Sequence, residues 1–282
     1  MRYWVNTRNN VDEVPNDAID ILKETSRTFF IPISLLTPGL RETVASAYLC
    51  MRAIDEIEDH PQLQPQIKSE LLTTTSKILI AKPYDNEALN NLYSPYHDSL
   101  PEVTLRLHDW INYCPEEIRD EVLKSTAIMA EGMANWVNKD WTISTEEELD
   151  QYTYTVAGLV GVMLTDIWKW YDGTKADKEL GIGFGRGLQA VNILRNYKED
   201  DERGVSFFPN GWNLDDMFAY ARKNLDLADQ YVKEIKTETI LNFCQIPLAL
   251  AHGTMKALSD GREKMTRNEV NDMVNKVVTK TS

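Results

Sequence analysis

The chain has 282 residues, 43% of them hydrophobic, and a formal charge of −14. That length suits one large domain or two small ones, and the acidic balance argues against nucleic acid and against electrostatic docking on anionic lipid. No stretch is long and apolar enough to span a bilayer, and Cys50, Cys114 and Cys244 lack metal-ligand spacing, so they read as buried free thiols of a reducing compartment.

Residues 1–15 are polar and are expected to be weakly ordered, without the apolar run of a signal peptide. Asn16-Asp17 caps a first helix running to about residue 25. Ser26-Arg27-Thr28 then opens a loop, where a guanidinium is able to grip a phosphate by two parallel bonds. A short apolar turn or helix at 29–36 is broken by Thr37-Pro38-Gly39, and a longer helix starts near 40. His60-Pro61 stops it, because a residue before proline avoids the helical region.

On that longer helix Tyr48, Arg52, Asp55 and Asp59 fall three or four apart and share one stripe. Two carboxylates one turn apart, with an arginine a turn before them, suit a hard divalent cation carrying a phosphate. Mg²⁺ takes one or two carboxylates from protein and its remaining oxygen ligands from water and phosphate. A solvated acidic face is the plain alternative in so acidic a chain.

Further helices are expected at 65–79, 102–112 and 116–138, with 80–101 a proline-containing loop holding a short helix. Within the helix at 116–138, Glu131-Gly132-Met133-Ala134 resembles a turn found in a known protein family. Ser144 and Glu147 form a capping box that starts a helix reaching about 171. Gly158 and Gly161 cost that helix about 1 kcal/mol each against alanine, which implies a close neighbour, either a bound chain, or a kink. Val156, Val160 and Leu164 repeat at four-residue spacing, which fits core packing and the lining of a hydrocarbon tunnel equally.

The helix expected at 176–202 carries the counterpart of the first stripe. Gln189, Asn192, Asn196 and Asp200 share one face, and Arg195 lies beside them. Glycines 181, 183, 185 and 187 precede them, but no strand does, so a nucleotide-binding loop is rejected in favour of close helix approach. Two such faces opposed across a cavity would hold diphosphate groups through metal ions. Residues 204–209 read as loop, and helices at 213–236, 239–259 and 266–279 complete the chain. No strand-like alternation, repeat or linker is visible, so the expectation is one all-α domain over 1–282.

Six motifs in order carry a resemblance to a known family. Thr25-Ser26-Arg27-Thr28-Phe29, the stretch Tyr48 to Asp59, and Tyr152 to Gly161 are three. Asn192 to Asp200, Phe207-Phe208-Pro209, and Asn242 to Pro247 are the others. Together they resemble the squalene/phytoene synthase family of head-to-head prenyl synthases, with motifs nearest those of squalene synthase, over about residues 20–275.

The resemblance implies the class I isoprenoid synthase fold, with a central cavity among antiparallel helices. It implies an Mg²⁺-dependent transferase of isoprenoid biosynthesis. Such an enzyme condenses two farnesyl diphosphates through a cyclopropyl diphosphate to squalene or dehydrosqualene. The catalytic roles fall to Tyr152, Asp55, Asp59 and Tyr48, although a packed core tyrosine also fits position 152. Diphosphate binding falls to Ser26, Arg27, Arg52, Arg195, Gln189, Asn192 and Arg203. Metal binding falls to Asp55, Asp59, Glu58, Asn196, Asp200 and Glu199. The hydrocarbon pocket falls to Phe29, Met51, Val156, Val160, Leu164, Phe243 and Pro247.

NADPH use and oligomeric state stay open, as does prenyl chain length. The expected partner is a prenyl diphosphate, with no nucleic acid, in the cytoplasm, with peripheral membrane contact for an apolar product. Two positions depart from the family pattern. Asn196 stands where the family has Asp, and Val205 where it usually has Arg, with Arg203 nearby. An amide oxygen ligates Mg²⁺ without contributing charge. The alternative is therefore an enzyme of the same fold that ionises a single prenyl diphosphate, as a phosphatase, a cyclase or a transferase to another acceptor. A non-catalytic isoprenoid-binding homologue is the third reading.

Overall fold

Helices account for nearly all regular structure among the described residues of this computed structural model, which are 16–26, 28–202 and 204–280. The expectation of weak order for 1–15, and the roles assigned to Arg27 and Arg203, lie outside them. In chain order the helices are α1 (Asn16–Thr25), α2 (Phe30–Ser34), α3 (Leu40–Glu58), α4 (Pro65–Ile80), α5 (Asn86–Tyr93), α6 (Glu102–Leu105) and α7 (Leu107–Tyr113). They continue with α8 (Glu116–Asn138), α9 (Glu146–Thr153), α10 (Leu159–Asp172), α11 (Lys178–Glu202), α12 (Leu214–Glu234), α13 (Glu238–Ser259) and α14 (Arg267–Lys280).

Local chemistry sets many of these boundaries. Pro65 opens α4 at a position whose N–H would be unpaired anyway. Asp85 accepts from the Glu87 and Ala88 N–H groups to cap α5. Asn213 and Asp216 form a reciprocal capping box at α12. Gly173 ends α10 at φ 79°, a left-handed position that costs glycine nothing.

Three expectations need correction. The box expected from Ser144 and Glu147 is shifted by one residue, because α9 begins at Glu146. Thr145 Oγ1 accepts from Glu148 N at 3.2 Å, and Glu148 Oε2 accepts from Ser144 N at 2.8 Å. Gly132 lies inside α8 and marks no turn; a Cβ there would meet Thr155 Cγ2 at 2.5 Å. The single helix expected over 144–171 is interrupted at Tyr154–Gly158 by one π-helical turn.

The close neighbour at that interruption is helix backbone. A Cβ on Gly161 would sit 1.9 Å from the Gly181 carbonyl oxygen, and one on Gly185 would sit 2.1 Å from the Ala157 carbonyl oxygen. The glycines therefore let α11 lie directly on α10 and on the π turn.

α3 is anchored from behind. Ser46 Oγ donates to the Trp110 carbonyl at 2.6 Å, and Thr104 Oγ1 donates to the Ala53 carbonyl at 3.0 Å. α4 packs along α8, and α11 packs along α12. A larger apolar cluster around α3, α7, α8 and α10 holds Trp110 and Trp168 fully buried. A smaller cluster joins α11, α12 and α13. Among the described residues no helix is long and apolar enough to cross a membrane.

Candidate active site

The four-residue spacing on α3 and α11 determines what these helices present to each other. Reading back from Asp200, every fourth residue is Asn196, Asn192, Leu188 and Phe184. All five line one cavity of about 750 Å³, a volume within the usual range for ligand sites. α3 contributes Val44, Ala47, Tyr48, Met51, Arg52, Asp55 and Glu58 to the same cavity, and Asp59, which caps its C-terminal end, joins them. Each helix thus changes from apolar to polar along its length. The cavity inherits that gradient, with oxygen donors at one end and hydrocarbon and aromatic groups at the other.

At the polar end, one carboxylate oxygen each from Asp55, Glu58 and Asp59 lie within 4.8 Å of one another. Glu58 is buried, and Asp59 is exposed. Asp55 keeps 32% of its side chain open and lines the cavity. Burial, reinforced by the Asp59 charge, pushes the Asp55 carboxyl up to about 7. The same two causes push Glu58 up to about 8, against a hydrogen bond from the Trp141 indole that favours its ionised form.

Hard oxygen donors converging with too few counter-charges fit a hard divalent cation of the Mg²⁺ kind. Arg52 supplies part of the missing charge. Its Nη1 donates to Asp55 at 2.6 Å, and its Nε donates to Glu56 at 2.9 Å.

α11 answers with Gln189, Asn192, Asn196 and Asp200, of which Asp200 is the buried carboxylate. Tyr152 lies between the two faces. It is 8% exposed, stacks on Phe207 at 5.0 Å between centroids, and meets Trp136 edge-on at 5.5 Å. Burial first, and then the charges of Glu58, Asp59, Asp55 and Asp200, hold its hydroxyl well above the usual phenol range. It therefore keeps its proton and remains a donor.

All seven residues assigned to the hydrocarbon pocket, Phe29, Met51, Val156, Val160, Leu164, Phe243 and Pro247, line the cavity. Tyr48 lines it too, but its hydroxyl donates to the Thr25 carbonyl at 2.9 Å. Among the described residues, three assigned ones do not line the cavity. Ser26 is buried, and its Oγ accepts from Phe29 N at 3.1 Å, which makes it a local cap. Arg195 and Glu199 point away from the stripe and are exposed. Arg195 Nε still donates to Asn196 Oδ1 at 3.3 Å.

Sequence reasoning missed Phe184, Leu188, Phe207, Trp168, Met129 and Tyr231 in the wall. For Phe184 and Leu188 the signal was present, since the Asp200 stripe extends back through them. Trp168 and Met129 carry no such signal, because a buried apolar residue reads the same in a core as in a cavity wall.

Residues 22–215 match the squalene/phytoene synthase family model. Squalene synthase of Schizosaccharomyces pombe is 29% identical over 281 residues, covering 88% of this chain and 60% of that protein. Squalene synthase of Dictyostelium discoideum is 30% identical over 273 residues, covering 84% and 62%. The ligand-bound structure of TcSQS superposes with a TM-score of 0.76 at 21% identity, over 93% of this chain and 85% of that one. A ligand-bound dehydrosqualene synthase gives 0.58 at 17% identity, over 93% and 94%.

The fold is thus the all-α fold of the isoprenoid synthases. Within that class, the chain belongs to the squalene/phytoene synthase family. It spans 60% and 62% of the length of these two relatives.

Proposed function

We propose that this chain is a divalent-metal-dependent prenyltransferase that joins two farnesyl diphosphates head-to-head. The observation that carries the reading is that the Asp55–Glu58–Asp59 cluster and the Gln189–Asp200 stripe line one cavity together with apolar and aromatic side chains. Asp55, Glu58 and Asp59 would hold Mg²⁺, which when bound supplies Lewis-acid neutralisation of a departing diphosphate.

The chain's own residues do the rest. Arg52 adds a fixed positive charge beside the leaving group. Gln189, Asn192 and Asn196 offer neutral amide N–H donors to phosphate oxygens from the α11 wall. Val156, Val160, Leu164 and Phe243 keep water from the allylic chain, and the ring faces of Phe184, Phe207 and Tyr152 favour positive charge near them. Tyr152, held protonated, would donate a hydrogen bond towards the diphosphate.

One observation favours a second reading. On the α11 side Asp200 is the carboxylate of the lining, and its helical neighbours there are amides. That face neutralises less metal charge than α3 does, which suits an enzyme that ionises one prenyl diphosphate.

The test is product analysis with farnesyl diphosphate, in EDTA or in Mg²⁺, with and without NADPH. A C30 product that needs Mg²⁺ supports the head-to-head reading. A C15 alcohol or hydrocarbon that needs Mg²⁺ selects the second. Full turnover in EDTA removes both.

A further inference from the structure

Glu58 is gripped from outside the two helices that bear the stripes. Beyond the last turn of α8 the chain leaves through Asp140 and Trp141, both in the left-handed region at φ 53° and φ 48°. Their N–H groups bond the Val137 and Trp136 carbonyls, each at 3.1 Å, and close the helix end. Glycine makes such an exit without a Cβ penalty, so closing the helix does not explain a tryptophan there. The turn sends the indole back to α3, where Nε1 donates to Glu58 Oε1.

Lys68 of α4 completes the grip. Its ammonium donates to the Glu58 backbone carbonyl at 2.6 Å and lies 5.6 Å from the centroid of the Trp141 ring. Lys68 is itself buried, at 8% exposure. Backbone and carboxylate of Glu58 are therefore fixed by α4 and by the turn beyond α8, which contribute nothing else to the acidic cluster.

We propose that Trp141 is a positioning residue, which holds the Glu58 carboxylate in place as the third oxygen ligand of a divalent cation beside Asp55 and Asp59. The proposal rests on reading that cluster as a metal site. A free glutamate side chain loses rotamer entropy when it takes up a metal. One already tied by a hydrogen bond to one carboxylate oxygen loses less. Outer partners of this kind typically account for about 10- to 100-fold in metal affinity.

The test is direct titration with Mn²⁺, following free ion by electron paramagnetic resonance, without substrate. Wild type, Trp141→Phe, Glu58→Ala and the double variant are compared, with folding checked by thermal melting in EDTA. Trp141→Phe keeps the ring but loses the N–H, and is expected to bind about 10- to 100-fold more weakly. In the Glu58→Ala background the same substitution is expected to change nothing further.

Unchanged affinity in Trp141→Phe overturns the proposal, as does a full additional loss in the double variant. If Trp141→Phe does not fold, Trp141→His keeps a ring N–H and decides the matter. Affinity within a few-fold of wild type then supports the role, and a loss equal to that of Glu58→Ala overturns it. A wild type that binds no Mn²⁺ overturns the metal-site reading itself, and this inference with it.

Discussion

At the residue scale, two of the carboxyls that define the site, Asp55 and Glu58, destabilise the metal-free fold as pH rises. In an unfolded chain Asp and Glu titrate near about 3.9 and 4.3. In the folded protein burial and the Asp59 charge raise Asp55 to about 7 and Glu58 to about 8. The folded state therefore binds more protons than the unfolded state between those limits. Its stability contribution is complete below pH ~4 and is lost as pH rises through about 7 to 8. A bound cation removes that loss, since it favours the ionised carboxylates.

In EDTA, the melting temperature should fall from pH 6 to pH 8.5. Saturating Mg²⁺ should flatten the decline, so that the Mg²⁺-induced increment grows with pH. Asp55→Asn should flatten the EDTA profile without metal. Melting curves with equal slopes in EDTA and Mg²⁺ would show that these carboxyls do not hold the ion.

At the scale of elements, the contact between α11, α10 and the π turn is set by missing side chains. Gly185→Ala would place a methyl 2.1 Å from the Ala157 carbonyl oxygen, where rigid backbone must give way. Gly158→Ala meets Ile182 Cγ2 at 3.2 Å and Tyr154 Cδ2 at 3.3 Å, both side-chain atoms with some freedom to shift. Overpacking costs typically about 1–3 kcal/mol, so Gly185→Ala should lower the melting temperature by several degrees. It should also lower turnover of farnesyl diphosphate, because Ala157 and Gly185 both line the cavity. Gly158→Ala should remain near wild type in both assays. Equal behaviour of the two would mean that the helices slide apart at little cost.

These elements also show what sequence is able to carry. The helices were legible because apolar periodicity and Pro or Gly stops are local signals, as at His60-Pro61. The close approach of 181–187 was legible because only glycine tolerates it. The π turn was not, because it depends on how α11 sits against Ala157, a tertiary fact. The positions of Asp55 and Asp59 followed from helical spacing, whereas Glu58 entered only through the family resemblance. Trp141 was invisible, because its hydrogen bond to Glu58 joins residues far apart in sequence through a left-handed turn. Arg195 and Glu199 were assigned by adjacency to the motif, but on a helix a neighbour one residue away points elsewhere.

At the scale of the whole molecule, the cavity is asymmetric in charge. The α3 wall brings Asp55, Glu58 and Asp59 together, whereas the α11 wall brings Asp200 with three amides. The strongly acidic surface gives no general attraction for a diphosphate. Binding of a second diphosphate then depends on what the α11 wall offers. Asn196→Asp adds a carboxylate one turn before Asp200, on a residue already in the lining. It should lower the Mg²⁺ concentration needed for half-maximal turnover.

Val205 is a poorer place to intervene, since it lies outside the lining and its N–H closes the end of α11 on the Asp200 carbonyl at 2.9 Å. Val205→Arg should therefore add less, although a charge-assisted bond to phosphate contributes about 1.5–3 kcal/mol where it forms. If wild type ionises one prenyl diphosphate, Asn196→Asp should shift product from C15 towards C30, because the second diphosphate gains its metal. If wild type already makes C30, the substitution should move the Mg²⁺ curve and leave the product alone. Gas chromatography of products across a Mg²⁺ series separates these outcomes. An unchanged curve with unchanged product would mean that the Asn196 amide oxygen already serves as well as a carboxylate, and that the charge asymmetry of the walls has no chemical consequence.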